Sequence, residues 1–547
     1  MPNTPGQTSM SGENEHRSDE HISNQIDVQQ QTSKRQKRKY TEVWNFGKPT
    51  HTCSDCGAIM WYEERAKKDS NNSLTKFSIY CRKGKIELPL LQNPPIYLQQ
   101  LLQSEGPQLK KLKEQSRMLN SIFALTSMGG KVDNTINQGN SPYVFRLNGQ
   151  NHHKIGSLLP QIGERPRFTH LYIYDTENEI SNRINSLGNN GQHSNLNPDI
   201  VDALSKMFDE HNELTKAFRM ARERFEENDL QPIRLRLIGT RQKDGRQYNL
   251  PTSSEVAALI IGTGDNEKGH RDEIVEHQSD GLKRISELHP SFMAMQYPIL
   301  FPYGEDGFPT NIPHADQETT TRARKMVTIR EYYAFHFQQR RRESITRFEL
   351  GRLNQQYQVD AFTCLQESRL EWVRGNQKTI RKEMLRGLED AVSRGDTTPS
   401  SIGQRIVLPS SFTGSPRYML QNYHDALAIC KWAGPPDIFV TFTCNPNWQE
   451  IIEFLTIISG QRPEDRPDII ARVFKIKLEE LMEDLKDRGH FGEAKAAIYT
   501  IEFQKRGLPH AHILLFLNEE DKPRTSEDID RIISAELPDP KKKPRCI

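Results

Sequence analysis

The residues best suited to chemistry in this chain are His510-Ala511-His512 and, eight positions before them, Glu502. Successive side chains of an extended strand alternate between its faces, so His510 and His512 share one face while Ala511 takes the other. The intervening Lys505-Arg506-Gly507-Leu508-Pro509 segment has the Gly and Pro of a hairpin connection, which sets Glu502 across from the histidines. Two imidazoles and a carboxylate with room for water make an open divalent-metal site, able to polarise a phosphodiester and leave positions for its oxygens. Gln504 is a substitute third ligand if the register differs. A lone His-x-His reads first as one packed and one solvated side chain; the carboxylate, the hairpin and the preceding helix favour ligation.

A second set lies near the N-terminus. Cys53-Ser-Asp-Cys56 can turn two thiolates toward one ion, and Cys81 follows just before Lys83-Gly84-Lys85. A tetrahedral Zn2+ site needs four ligands, and His51 is the nearby fourth. The competing reading is a set of ordinary buried thiols. Cys444 has no His/Asn pairing to support it as a nucleophile and reads as a buried thiol. The adjacent His152-His153 point to opposite faces of a strand and read as a surface pair. Basic residues gather as Arg322, Arg324, Lys325 and Arg330, then Arg340-Arg341-Arg342, with Tyr332, Tyr333, Phe335 and Phe337 interleaved. Cations hold phosphates and aromatic rings stack bases, so Arg322, Arg324, Lys325, Arg340, Arg341 and Arg342 are candidate DNA contacts, joined by Lys505 and Arg506 in the hairpin connection. The same pattern equally describes an amphipathic helix with its aromatics in the core and its arginines in water.

These groups need elements to position them. Ile470, Val473, Phe474, Leu478, Leu481 and Leu485 recur at helical spacing and predict a helix over 467–487. Residues 496–503 and 510–517 predict the two hairpin strands, and Asp437-Ile-Phe-Val-Thr-Phe-Thr443 an earlier strand that serves as their central partner. Upstream, Leu171–Tyr174, Arg234–Ile238 and Ala257–Ile261 read as strands, with a helix carrying Ile200, Leu204, Met207, Phe208, Leu214 and Phe218. The expected fold class is α+β and multi-domain. Residues 1–39 form a disordered tail, 40–92 a zinc-finger-like module, 93–330 a mixed α/β region, 331–517 the domain with the histidines, and 518–547 a C-terminal segment with a helix near Thr525–Leu537.

Composition narrows the field less. The 547 residues balance 74 Lys+Arg against 72 Asp+Glu, for a net charge of +2, so overall charge names no partner. No apolar run approaches the roughly 18 residues of a spanning helix, and no membrane partner is expected. Seven scattered cysteines fit a reducing compartment better than a disulfide scaffold. Lys34-Arg35-Gln36-Lys37-Arg38-Lys39 reads as a nuclear address or phosphate contact, or as a solvated charge run.

At its most informative residues the sequence resembles a known family. Phe439-Val-Thr-Phe-Thr-Cys-Asn-Pro-Asn-Trp448 and Glu502-Phe-Gln-Lys-Arg-Gly-Leu-Pro-His-Ala-His512 look like the first two motifs of the replication-initiator domain of Helitron rolling-circle transposases, which are HUH endonucleases. Leu408-Pro-Ser-Ser-Phe-Thr-Gly414, Arg417-Tyr418, Gln421-Asn422-Tyr423 and the Pro298–Gly307 stretch resemble their helicase-like N-terminal region. The Cys53–Cys81 module resembles the lead-in of plant members. The resemblance implies a central antiparallel sheet with flanking helices, with His510 and His512 holding Mg2+ or Mn2+ and Glu502 at the acidic third position. It also implies a single-stranded DNA substrate, nicked by a tyrosine that becomes linked to the 5′-phosphate, in the nucleus. Three departures stand against it. The family's nucleophilic tyrosines follow the His-x-His strand, whereas the last tyrosine here is Tyr499. No Gly-x-x-x-x-Gly-Lys-Ser/Thr loop occurs, so ATP is not expected as a cofactor. Tyr80 precedes Cys81 where a second cysteine is expected, which weakens the zinc site. The expectation is a transposase truncated before its nucleophile and helicase, binding metal and single-stranded DNA with little or no nicking. The competing class is a non-catalytic DNA-binding or interaction protein derived from a transposon.

Overall fold

A computed structural model describes residues 26–27, 44–66, 75–104, 107–137, 143–148, 151–186, 196–227, 233–261, 272–277, 281–315, 324–384, 406–503 and 507–533. The basic run at 34–39, Arg322, Gln504, Lys505 and Arg506 lie outside the described residues, as does the rest of the tail apart from Ile26–Asp27. The architecture is α+β, with several small antiparallel sheets and helices around them. The chain divides into two compact units, each discontinuous in sequence. One comprises Met1–Trp44, Asn376–Pro446 and Ile470–Ile547; the other comprises Asn45–Gly375 and Asn447–Ile469.

The first unit is built on a four-stranded antiparallel sheet in the order Ile26–Asp27, Ala494–Phe503, Pro509–Leu517, Ile438–Thr443. The expected hairpin is present, and its two strands are the inner pair of the sheet; Ile438–Thr443, expected as the central partner, is instead an edge strand beside Pro509–Leu517. Burial accounts for the difference. Pro509–Leu517 is buried along almost its whole length, whereas Ile438–Thr443 alternates between buried or half-buried and exposed positions, as a strand with one wet face does. The predicted helix forms as Pro467–Lys486, and its Phe474 stacks on Phe442 at 5.3 Å between ring centroids. Phe442 pairs with Ala511, so this contact is on the face opposite the histidines.

The histidine face is half covered. The helix Pro416–Ala433 begins where Ser415 accepts a hydrogen bond from the Tyr418 backbone N–H and Pro416 fills the first turn, where its missing N–H costs nothing. It ends at Gly434, whose φ of +91° is open to glycine without strain. Ile429 and Ala433 pack on Ala496, Ile498 and Phe516, with Ala426, Cys430 and Leu514 around them. Full burial of a side chain such as Phe516 stabilises by about 1.5–3 kcal/mol, which anchors the helix over that end of the sheet. Beyond Leu514 the same face is polar.

The second unit has its own core, into which Cys53 and Cys81 pack with Met60, Phe77 and Ile86. Ile233–Leu237 lies between Glu273–Val275 and Ala257–Ile261 in an antiparallel sheet. The single helix expected over 200–218 is two, Pro198–His211 and Glu213–Glu227, broken at Asn212, whose side chain accepts from the Thr215 N–H. Leu171–Tyr174 is not a strand: Phe168–Tyr172 is a 3-10 turn, and Leu171 and Tyr172 are buried in succession, with no alternation. His153 is likewise not a surface residue. Its Nε2 is 2.6 Å from Asp360 Oδ2 and its ring stacks on Phe292 at 3.8 Å, while Tyr297 and Asn151 donate to the same carboxylate. In the C-terminal segment the helix Ser526–Ile532 forms within the expected stretch, whose last residues lie outside the described ones. Among the described residues no helix is long and apolar enough to cross a membrane.

Candidate metal centres

The strand register brings the three predicted ligands together. Glu502 lies directly opposite His510, with Thr500 opposite His512. On the other side of the central strand Thr443 faces His510 and Thr441 faces His512. Directly opposed residues of antiparallel strands share a face, so Glu502, Thr500, His510, His512, Thr443 and Thr441 line one patch. One ligand atom from each of Glu502, His510 and His512 falls within 4.8 Å of the others. His512 Nε2 is 3.0 Å from Glu502 Oε1, and the two imidazole centroids are 4.6 Å apart. Glu502 is exposed, His512 half-buried and His510 buried, so the group opens toward solvent on its carboxylate side.

Thr443 is the functional neighbour that sequence reasoning missed. Its Oγ1 is 2.6 Å from His510 Nδ1, a hydrogen bond that fixes the ring's orientation and, in the tautomer with the proton on Nδ1, would present Nε2 to a metal ion. Strand alternation already put Thr441 and Thr443 on one face of Ile438–Thr443; only the pairing partner was missing. Phe439, on the same face, stacks on His512 with the ring planes 8° apart. Cys444, at the end of that strand, is a buried thiol pushed up to about 12 by desolvation, unsuited to nucleophilic attack. Tyr499 pairs with Ile513 and so belongs to the opposite face from the histidines.

In the other unit Cys53, Cys56 and Cys81 also converge to within 4.8 Å. A tight turn makes the first half: the Gly57 N–H donates to Cys53 O, the Cys53 N–H donates to Ala58 O, and Gly57 has φ +74°. A second turn carries Cys81, whose carbonyl accepts from the Ile86 N–H across Arg82, Lys83 and Gly84, all at positive φ. The 3.7 Å between Cys53 Sγ and Cys81 Sγ matches the edge of a tetrahedron with Zn–S arms of about 2.3 Å. Hydrogen bonds from Cys53 and Cys81, aided by the Arg340 charge, push the Cys56 thiol down to about 2, while the same sharing pushes Cys53 and Cys81 up. The three sulfurs can hold a metal ion. His51 is not gathered with them: its ring lies against Tyr62 at 5.2 Å and its Nδ1 is 3.3 Å from Thr50 Oγ1. We expect the purified chain to contain Zn2+ and a Cys53→Ser/Cys81→Ser variant to lose it, read by elemental analysis; undiminished zinc in the variant would reduce the cluster to packed thiols.

The basic and aromatic stretch is resolved by burial. Tyr332, Tyr333 and Phe335, on the helix Ile329–His336 that is capped by Thr328 and Glu331, are buried in the hydrophobic core. Arg340, proposed from sequence as a DNA contact, is 2% exposed. It donates to Cys56 O, Gln338 O and Phe335 O and pairs with Glu343 at 2.9 Å, so it has no free face for a phosphate. Arg341, Arg342 and Lys325 are exposed; Arg324 is also exposed and lies 3.4 Å from Glu331.

Residues 332–515 match the family model for the Helitron helicase-like domain at the N-terminus. That span includes Ile438–Thr443, Ala494–Phe503 and the stretch of the central strand that carries His510 and His512, and so Glu502 as well. No curated protein matches the chain.

Proposed function

We propose that this chain is a Helitron-type transposase protein whose Glu502, His510 and His512 bind a divalent cation, Mn2+ or Mg2+, to hold single-stranded DNA for strand nicking. The observation that carries this reading is the register that gathers these three side chains on an open sheet face, inside the segment similar to the Helitron helicase-like domain. When bound, the cation would neutralise charge on a phosphodiester and polarise it. His510 and His512 supply nitrogen donors, Glu502 compensates charge, and Thr443 holds His510 in its ligating orientation. Nitrogen donors favour Mn2+ over Mg2+, which prefers an all-oxygen shell. Arg341, Arg342, Arg324 and Lys325 on the other unit, together with Lys505, Arg506 and Arg322, are the proposed backbone contacts. Basic residues 34–39 would direct the chain to the nucleus.

The nucleophile is a separate matter. Tyr499 turns away from the histidines, and Tyr423 sets its ring against His424 at 5.7 Å. We therefore expect this chain to retain labelled single-stranded DNA in the presence of Mn2+ without a denaturant-resistant protein–DNA adduct. An adduct on denaturing gels would overturn the inactivity, and absence of both DNA and metal binding would favour a non-catalytic interaction protein. Thr443→Val should weaken Mn2+ binding by about 10- to 100-fold, because a group that orients a ligating imidazole carries that much of the affinity. Titration calorimetry decides it, and an unchanged affinity would free His510 from Thr443.

A further inference from the structure

We propose that Phe439 is a nucleobase-stacking platform beside the metal group, which rests on the reading of that group as a single-stranded DNA site. Phe439 is 62% exposed although it sits in a sheet strand between Ile438 and Val440, which are buried and half-buried. Its register partner is Leu514, the last residue of the central strand beneath the helix Pro416–Ala433. It thus stands where the covered, apolar half of the face gives way to the open, polar half. One ring face lies parallel to the His512 imidazole at 5.5 Å between centroids. The rest of the open patch is Thr441, Thr443, Thr500 and Glu502, which offer no flat apolar surface.

A single exposed phenylalanine is ordinary on a protein surface and by itself names nothing. What separates Phe439 from that background is contact with a candidate ligand. A phosphodiester drawn to His510 and His512 brings its neighbouring base within reach of the Phe439 ring beside them. Every base has a π-face, so such a platform tolerates any sequence and discriminates a nucleotide from its bare sugar-phosphate. Phe439 is therefore a positioning residue: it holds a base, and through the base the phosphate, over the metal.

The test compares the full chain with Phe439→Ala, Phe439→Leu and Phe439→Trp in fluorescence anisotropy with Mn2+. The probes are a labelled oligothymidylate and an abasic deoxyribose-phosphate strand of equal length. Phe439→Ala and Phe439→Leu should lose about tenfold or more on the oligothymidylate and nothing on the abasic strand, while Phe439→Trp keeps both affinities. Equal losses on both strands, or none, overturn the platform. Mn2+ binding measured on the same samples separates the two ideas: intact Mn2+ and DNA binding in Phe439→Ala would sink the platform and leave the metal reading standing. A parent chain that binds neither strand would overturn both.

Discussion

The His510→Ala/His512→Ala variant is expected to bind no Mn2+ at concentrations that saturate the parent chain, a loss of more than about a hundredfold. The magnitude follows from what remains. Removing a group that merely orients a ligand costs about tenfold to a hundredfold in metal affinity, and this variant removes two of the three candidate ligands. Glu502 alone, exposed at the edge of the patch, is an ordinary surface carboxylate. The substitutions suit the fold: both positions lie in a strand held by backbone pairing on each side, and the core on the opposite face is formed by Ala511, Ile513 and Leu515. A thermal melt close to that of the parent would therefore accompany the loss, and paramagnetic resonance of free Mn2+ would read it directly. Undiminished binding would remove the site from the protein.

Glu343→Gln is expected to destabilise the unit that contains it by about 3–5 kcal/mol, the cost of leaving buried charges without their partner. Glu343 is buried between Arg340 at 2.9 Å and Arg347 at 3.8 Å, with His336 Nδ1 at 3.9 Å, and it also accepts from the Leu91 N–H. Burial alone would raise its pKa; His336, Arg347 and Arg340 outweigh that and hold the carboxyl at about 2, below its ordinary 4.5. A depressed folded-state pKa contributes stability that is complete above about pH 4.5 and is lost as pH falls toward 2, where the folded protein takes up the proton. Denaturant melts should show the variant's deficit in full at pH 6 and shrinking between pH 4.5 and 2. A pH-independent deficit would mean that packing, rather than charge, is what Glu343 supplies.

This network also shows why Arg340, alone of the described basic candidates, is withdrawn from solvent. Arginine and interleaved aromatics are compatible with a nucleic-acid face and with a buried ion cluster. The two differ in whether a carboxylate from the same chain arrives to meet the guanidinium. Glu343 lies three residues after Arg340, but nothing local reveals that both are buried, with Arg340 donating to Cys56 O. His153 is the same case: its partner Asp360 is more than two hundred residues away in sequence. The discontinuous units have the same origin, since no composition shift marks Asn447–Ile469 as returning to the unit of Asn45–Gly375.

The sequence by itself determined that the two histidines lie together, because strand alternation is a local rule. His510 and His512 had to share a face once 509–517 was extended, whereas the choice of Glu502 over Gln504 as their neighbour came from the strand register. It determined the helix at 467–486 in the same way, through apolar spacing. Only the tertiary structure decided which neighbours those residues meet. Pairing of Ile438–Thr443 with the central strand delivered Thr443 to His510 and Phe439 to His512, and it left Pro509–Leu517 in the middle. Burial of Arg340, and the placing of His51 against Tyr62 instead of the three sulfurs, were likewise settled by contacts distant in sequence or by side-chain direction, which periodicity does not encode.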